Sequence, residues 1–353
     1  MYALDKEHKS TNNPRNNEYL PIVGFSQEKD INAIGKRGKG NLKGLDKLLP
    51  MEEMPAEATI EEFAEVGKIA AKIREESKQL VNVGEGLLDI AETIEGMIRE
   101  QGCEPAFPTN VSVNEIAAHY TPEMGDKTLL GEKDVVKVDL GAEMNGAIAD
   151  TAYTIDLSGN YAKLVEASEK ALEMAIAAIK PGVTVGHIGG VIEDAIKGYG
   201  YRPVANLTGH RISTGMLHTG IDVPCVKSED PYEFQVGEIY AIEPFATNGK
   251  GFVSDSDQVE IFSLYMPGAL RLRESRKILQ TVIDKYGMLP FAERWLMEDF
   301  KSRLLLKNGL KEMLRMQVLK AYPVLREIEG GLVSQAEHTI VIEENGARIL
   351  TKE

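Results

Sequence analysis

Residues 135–150 read VVKVDLGAEMNGAIAD, and this stretch decides how the fold of the chain is interpreted. The pair Asn145-Gly146 is the strongest two-residue signal for a tight β-hairpin, and a turn there pairs Asp139 with Ala152. Side chains on one face of a sheet recur every second residue, so Asp150 shares the face of Asp139. The two acids are then diagonal neighbours with backbones roughly 7–8 Å apart.

Two carboxylates at this separation favour a bound cation. Without one, burial and mutual repulsion would raise the pKa of one carboxyl sharply. The small Ala152 opposite Asp139 leaves room for an ion. The alternative is a solvated hairpin with incidental acids. For Asp139 alone the two interpretations have equal support, because the strand before it is only partly apolar.

Three further residues extend this set of candidate ligands. Glu243 in EIYAIEPF matches the place of Asp139 in a second half of the chain, His210 lies in NLTGHRIS, and Glu337 lies in QAEHTIVI. Four carboxylates and one imidazole are ligand types for two divalent ions such as manganese, iron, cobalt or zinc. A water shared by two such ions loses a proton near neutral pH and becomes a nucleophile for hydrolysis.

The chain repeats its order of elements once. A helical pattern at 59–80 begins with Thr59 and Glu62, the signature of a capping box, and a second helix and strands follow. The same order returns about a hundred residues later, with TIEGMIREQG at 93–102 and VIEDAIKGYG at 191–200 at a constant offset of 98. The sequence therefore predicts an α/β (α+β) fold of two similar halves, each with helices followed by antiparallel strands, around a pseudo-two-fold axis.

A segment at 264–328 interrupts this order. LRLRESRKILQTVIDKYG at 270–287 is amphipathic with helical spacing and ends at a glycine. The segments FAERWLMEDF and LLLKNGLKEMLRMQVLKAY, the second ending at Tyr322, also have a helical pattern, and SQAEHTIVIEE then resumes the sheet. We expect a helical insertion subdomain at 264–328 within a catalytic domain at 57–353.

Composition and charge exclude several classes of protein. Of the 353 residues, 43% are hydrophobic and 27% are charged, which is typical of a globular enzyme. The net charge of −15 disfavours nucleic-acid binding through the field of the whole protein. Only two cysteines occur, and no apolar leader or membrane-length run is visible. We therefore expect a cytoplasmic protein that does not associate with membranes.

Residues 1–56 have a different composition from the rest. They are polar, with scattered Asn, Gly and Lys, and contain the basic run GKRGKGNLKG at 35–44. Composition favours an N-terminal extension that is partly flexible. The alternative is a basic arm that contacts ribosomal RNA or another acidic surface.

Two of the six histidines are further candidates. His119 and His218 lie at nearly equivalent places in the two halves, one residue off the constant offset. A lone histidine is usually a satisfied polar residue, whereas a matched pair beside a carboxylate cluster favours a functional role. His338 directly follows Glu337, so on a strand it points to the opposite face and is expected to be structural or exposed.

These residues, in this order, resemble the methionine aminopeptidase family, which has the pita-bread fold and a two-metal site. The stretch AFPTNVSVNEIAAHYTP at 106–122 is similar to the family's signature around a first substrate-contacting histidine, here His119, and the step of eight residues from His210 to His218 matches the second. The resemblance covers roughly residues 57–353. The family's ligand order of Asp, Asp, His, Glu, Glu falls on Asp139, Asp150, His210, Glu243 and Glu337.

The long gap between Glu243 and Glu337, with its helical pattern, resembles the type II enzymes of archaea and eukaryotes. The resemblance implies removal of the N-terminal methionine from nascent polypeptides, when the next residue is small, by a hydroxide that bridges the metals. It implies two divalent ions per chain (Co, Mn, Fe or Zn) and a monomer, and its partners are nascent N-termini, with the ribosome a candidate contact of the N-terminal extension.

The resemblance also assigns roles to individual residues. Glu243 accepts the proton of the attacking water, His218 stabilises the developing oxyanion, and His119 contacts the scissile amide or positions the substrate. Three aromatic residues resemble the wall of the family's methionine pocket, although ordinary core packing explains each nearly as well. These are Phe107, Phe245 and Tyr322.

Three positions depart from the family pattern. Arg211 and Ser213 stand where small residues are more common, and Leu264 stands where eukaryotic relatives carry a histidine near the pocket. The first two affect the loop after His210, and the third affects pocket polarity.

Two other functions stay open on the sequence alone. An X-Pro dipeptidase or aminopeptidase has the same fold and the same five ligands. A non-catalytic binding protein of the proliferation-associated type has the fold but has lost ligands. The long insertion and the FPTN segment at 107–110 argue against the first, and the retained ligands argue against the second.

Overall fold

The structure is a computed structural model that describes residues 57–266 and 268–352. The predictions for residues 1–56, namely the flexible extension, the basic arm and its contact with the ribosome, lie outside the described residues. Within the described ranges, none of the helices combines the length and apolar character that a membrane-spanning helix needs.

The first half of the chain consists of two helices and a meander of strands. The first helix begins as predicted, because Thr59 and Glu62 form both hydrogen bonds of a capping box. The elements of this half are α1 (Ile60–Ser77), α2 (Leu87–Glu100), β1 (Glu104–Val113), β2 (Ile116–Ala118), β3 (Val135–Met144) and β4 (Ala147–Asp156).

The second half repeats two helices before its strands. The Thr184 hydroxyl caps the second of these helices by accepting from the backbone N–H of His187. The elements are α3 (Ala162–Ala178), α4 (Val185–Gly198), β5 (Arg202–Pro203), β6 (Thr208–Ile212), β7 (Asp222–Pro224), β8 (Ile239–Ile242), β9 (Phe245–Thr247) and β10 (Val253–Leu264).

The hairpin of β3 and β4 has the predicted register. Asp139 pairs with Ala152 and Gly141 pairs with Asp150, with no bulge between them. Asn145 has φ 53° and Gly146 has φ 89°, as the tight turn requires. The register prediction is therefore confirmed, and both acids lie on one face of the sheet.

The segment 264–328 contains helices as predicted, and it also contains a long strand where a helix was expected. Its elements are α5 (Arg273–Lys285), β11 (Phe291–Ala292), α6 (Glu293–Leu296), α7 (Arg303–Arg315) and β12 (Leu319–Glu327). The expected helix up to Tyr322 is wrong after Arg315, where α7 ends, and β12 begins at Leu319. Gln317 has φ 56°, and the N–H of Val318 donates to the carbonyl of Met313, so the helix ends there and the chain pairs with β10 instead.

The last three strands connect the two halves. They are β13 (Val333–Gln335), β14 (Glu337–Glu343) and β15 (Gly346–Ile349). The main sheet has the order β1-β3-β4-β14-β8-β6-β7, with β15 paired to β14, and its neighbours are antiparallel. Because β14 lies between β4 and β8, the final strand brings the acids of both halves to the centre of one sheet.

Buried apolar residues form three clusters. One packs α1 and α2 against β1, β3 and β4, and a second packs α3 and α4 against β8 and β14. The third belongs to the insertion, where α5, α6 and α7 pack together with β10, β11 and β12. The helices thus cover one face of the sheet and leave the other for the carboxylates.

Leu140 tests the first cluster, since its side chain is fully buried on β3. Leu140→Ala is expected to lower the free energy of unfolding by about 2–5 kcal/mol, through lost burial and the cavity left behind. Leu304→Ala is the matched control, because Leu304 is 72% exposed, and its change is expected to stay within about 0.5 kcal/mol. Urea unfolding measures both. Equal losses in the two variants would contradict this packing.

Candidate metal centre

Three of the five predicted ligands follow one row across the central sheet. Asp139 on β3 pairs with Ala152 on β4, and Ala152 also pairs with Glu337 on β14. The next pair along β14 joins His338 to Ile242 on β8. Continuing that register by one residue sets Glu243 opposite Glu337, so carboxylates from both halves share the row.

Asp150 and His210 complete the group from neighbouring strands. His210 Nε2 lies 3.5 Å from Asp150 Oδ2 and 3.7 Å from Glu243 Oε1. One ligand atom each from Asp150, His210 and Glu337 lie within 4.8 Å of one another. The structure therefore brings the five predicted residues together at the centre of the sheet.

Burial makes this group electrostatically unfavourable by itself. Asp150, His210 and Glu337 are buried, and Asp139 and Glu243 are only partly exposed. Loss of water raises the pKa of Asp139, Glu243 and Glu337, and repulsion, led by Asp150, raises it further. In the absence of a cation, these carboxyls therefore stay protonated at pH values where an exposed carboxyl ionises.

Unpaired polar atoms point to the same conclusion. Asp139 Oδ1, Asp150 Oδ1 and Glu337 Oε2 are buried and have no hydrogen-bond partner in the described part of the chain. Native proteins rarely leave such atoms unpaired. Clustered carboxylate oxygens and an imidazole nitrogen are the donors that divalent ions take, so the residues fit a metal site.

Neutral side chains hold the carboxylates in place. Thr339 Oγ1 accepts from the N–H of Asp150 and donates to its carbonyl, both at 2.8 Å, and Thr151 Oγ1 donates to the carbonyl of Glu337 at 2.9 Å. Gln335 Nε2 donates to Glu243 Oε2 at 3.2 Å, and its amide also lowers the raised pKa of Asp139. Gln335 thus links an acid of each half.

The sequence analysis did not identify Gln335. The signal was available, because Gln335 precedes Glu337 by two residues and an extended chain aims both side chains to one face. His338 points the other way, as predicted. Its Nδ1 lies 3.0 Å from Arg74 Nη1 and 2.9 Å from Thr351 Oγ1, on the face that packs against α1.

His119 has a constrained backbone conformation. Its φ is 64°, which is unusual for a residue other than glycine. Its Nδ1 lies 3.1 Å from the carbonyl of Pro323, and its ring meets Tyr322 edge-on at 5.5 Å between centroids. Burial lowers the pKa of His119 to about 4, so the ring is neutral at physiological pH.

His218 is adjacent to the predicted ligands. Its ring centroid lies 4.0 Å from that of His210. His218 is exposed at the surface, yet the protein around its ring removes enough water to lower the pKa of His218, and the neighbouring His210 lowers it further. His218 therefore lies beside a candidate ligand, and His119 is close enough for its charge to contribute to the lowered pKa of His218.

The three predicted pocket residues have different surroundings. Tyr322 lies against His119, and its hydroxyl shares a hydrogen bond with Ser263 Oγ at 3.2 Å. Phe107 is a core residue that packs over Gly141, where an added Cβ would approach the ring to 2.3 Å. Phe245 is also a core residue, paired across β9 and β13 with Gln335.

The three departures from the family pattern leave the ligand set intact. Arg211 is next to His210 on β6 and points to the opposite face, where its Nη1 lies 3.3 Å from Glu238 Oε1. Ser213 pairs with Met216 through two backbone hydrogen bonds of 3.0 Å. Leu264 is buried and lines a small cavity beside His218 with apolar surface.

A sequence model of the family described as metallopeptidase family M24 matches residues 61–286. The chain belongs to this family. Membership of M24, a family of metallopeptidases, implies divalent metal ions as cofactors, in agreement with the buried donor set.

Individual proteins support the same assignment. A methionine aminopeptidase of Methanocaldococcus jannaschii is 47% identical over 292 residues, which is 83% of this chain and 98% of that protein. Among solved structures, a thermophilic Arx1 has a TM-score of 0.73 at 21% identity, over 84% of this chain and 92% of that one. A methionine aminopeptidase of Thermotoga maritima has a TM-score of 0.62 at 23% identity, over 85% and 100%. The two structures concern the fold alone, and they confirm the pita-bread fold for this M24 chain.

The raised pKa values predict how the metal-free M24 protein responds to pH. The folded carboxyls keep protons that the unfolded chain releases above about pH 4, so the stability contributed by this group falls as pH rises beyond that point. Glu337→Gln removes one charge. It is expected to raise the thermal midpoint of metal-free protein at neutral pH, and to raise it less at about pH 5.

Differential scanning fluorimetry with chelator measures this effect. Glu344→Gln is the control, because Glu344 is exposed on the turn after β14. A Glu337→Gln midpoint that drops at neutral pH, or that matches the control at both pH values, would show that repulsion among these acids does not limit stability.

Proposed function

We propose that this chain is a type II methionine aminopeptidase, which hydrolyses the bond after an N-terminal methionine when the next residue is small. The observation that carries the proposal is the group of four carboxylates and one imidazole at the centre of the sheet, with His218 beside His210. The relative with 47% identity over 98% of its length, itself named a methionine aminopeptidase, supports the same activity.

We further propose that the group holds two divalent ions, of Co, Mn, Fe or Zn. Four carboxylates supply enough oxygens to share between two ions, and two ions offset the repulsion that raises their pKa values. Bound ions supply an activated water near neutral pH. The holding residues are Asp139, Asp150, His210, Glu243 and Glu337.

Glu243 is suited to move the proton. One oxygen of Glu243 accepts a hydrogen bond from Gln335 Nε2. The other oxygen lies 3.7 Å from His210 Nε2 and therefore faces the other candidate ligands. Burial, and then repulsion from Asp150, raises the pKa of Glu243 well above its usual range, which makes this carboxylate a stronger base than an exposed one. Glu243 takes a proton from the attacking water and delivers it to the leaving amine.

The two histidines act on the peptide. A carbonyl oxygen only accepts hydrogen bonds, so the contact with Pro323 assigns the ring hydrogen of His119 to Nδ1 and leaves Nε2 as an acceptor. Nε2 can therefore receive the N–H of the scissile amide and orient that bond. His218, neutral and next to the carboxylate group, donates its ring N–H to the oxygen that becomes negative.

The remaining assignments follow from this activity. The proposed substrates are the N-termini of nascent polypeptides. We also propose that the protein is a monomer and that it works in the cytoplasm. The basic run at 35–44 suits contact with the ribosome. Phe107, Phe245 and Tyr322 form the wall that receives the methionine side chain, and residues 264–328 form the type II insertion.

The alternatives have less support. An X-Pro peptidase shares the fold, but three relatives of 40–47% identity are each named methionine aminopeptidase. A non-catalytic protein of the same fold would have no use for a buried acidic group whose charges repel one another.

Loss of a carboxylate is expected to abolish the reaction. Asp150→Ala and Glu337→Ala should each reduce release of methionine from Met-Gly-Met by several orders of magnitude, because the donor set is broken. Glu344→Ala should keep wild-type activity. Chromatographic assay of free methionine, with each metal added in turn, measures the effect.

A second set of substrates separates the peptidases. Peptides with proline in second place are assayed beside the methionine peptides. Undiminished methionine release in either carboxylate variant contradicts the ligand assignment, and wild-type cleavage confined to the proline peptides contradicts the proposed function.

A further inference from the structure

A small cavity of about 80 Å³ opens beside the proposed catalytic histidines. His218 and Tyr322 line one side, and Leu264 and Tyr265 line another. Among its lining residues, Lys320 and Asp222 carry charges of opposite sign. The cavity therefore adjoins the proposed catalytic site through His218, and Lys320 contributes a cation to its lining.

Lys320 is fixed in this position by its strand and by an aromatic ring. It precedes Tyr322 by two residues on β12, so both side chains lie on one face of the sheet. Its Nζ lies 4.6 Å from the centroid of the Tyr322 ring, and that ring contacts His119. Burial is the main cause that lowers the pKa of His119 and His218, and the charge of Lys320 lowers the pKa of both further.

The acid that shares the cavity with the ammonium is Asp222, whose pKa is raised by burial and held down in part by His210 and Lys320. Within the described ranges, Lys320 forms no ion pair, whereas Lys285 pairs with Asp299 at 2.7 Å and Lys307 pairs with Glu293 at 3.7 Å elsewhere in the insertion. The side chain of Lys320 is exposed. In a chain with a net charge of −15, an unpaired lysine at this place is available to an anionic group from outside.

We propose that Lys320 binds an acidic side chain of the peptide on the C-terminal side of the bond that is cut. The inference rests on the proposed function, because His119 and His218 fix the position of that bond. A peptide in extended form advances about 3.3 Å per residue, so its third residue lies about 5 Å and its fourth about 8 Å past the cut. Lys320, one aromatic ring away from His119, is placed to contact an Asp or Glu at the third or fourth residue.

Amidated tetrapeptides of the form Met-Ala-X-Phe-NH2, with X as Asp, Asn or Lys, test this directly. Amidation removes the terminal carboxylate, and a second set with a free C-terminus measures its effect. We expect wild type to favour Asp over Asn by about two- to five-fold in kcat/KM, the size of one exposed ion pair, mainly through KM. The preference should fall as salt is added.

Variants assign the effect to this lysine. Lys320→Met keeps the apolar stem and should erase the preference for Asp, and Lys320→Glu should turn it into a preference for Lys. Lys311→Met, an exposed lysine on α7, is the matched control and should behave as wild type.

Several results would overturn the inference. They are an unchanged Asp preference in Lys320→Met, an equal change in Lys311→Met, a loss of kcat that is the same for all peptides, or a preference that follows only the free C-terminus. If wild type releases methionine but does not distinguish X, this inference fails and the proposed function stands. If wild type releases methionine from no peptide, both fail.

Discussion

Repulsion among buried carboxylates is the constraint on which the rest of this structure depends. Asp139, Asp150, Glu243 and Glu337 lie close together with little water, and burial and mutual charge raise the pKa of three of them. A protein gains nothing in stability from such a group alone, because each charge loses hydration without a partner. The arrangement is favourable only with cations between the oxygens, and the surrounding fold keeps the oxygens in place for them.

The sheet order explains how the chain holds these acids so close. Each half supplies its acids on its own strands, but Glu337 arrives on β14, which pairs with β4 on one side and β8 on the other. The centre is therefore complete only when the last strands have joined the two halves. Gln335, Thr151 and Thr339 then hydrogen bond across this junction, so that the position of each acid depends on its neighbours.

Much of this could be predicted from the sequence where the signals are local or periodic. The Asn145-Gly146 turn determined the register that puts Asp139 and Asp150 on one face, and Thr59 and Glu62 marked the start of α1. The strand that carries Tyr322 was missed because its residues also fit a helical pattern, and only Gln317 in a left-handed conformation and pairing with β10 separate the two. The spacing of Gln335 to Glu337 indicated the face on which Gln335 lies, but its hydrogen bond goes to Glu243, 92 residues away, which the spacing does not indicate. Roles that depend on long-range contacts leave little trace in a single sequence.

The most direct measurement is anomalous X-ray diffraction from crystals grown with cobalt or zinc. The account predicts two peaks about 3.5–4 Å apart among Asp139, Asp150, His210, Glu243 and Glu337, each at bonding distance from the carboxylate oxygens. It would be contradicted by metal bound elsewhere with these side chains left hydrogen-bonded to one another as protonated acids, or by a single ion that leaves part of the group unused.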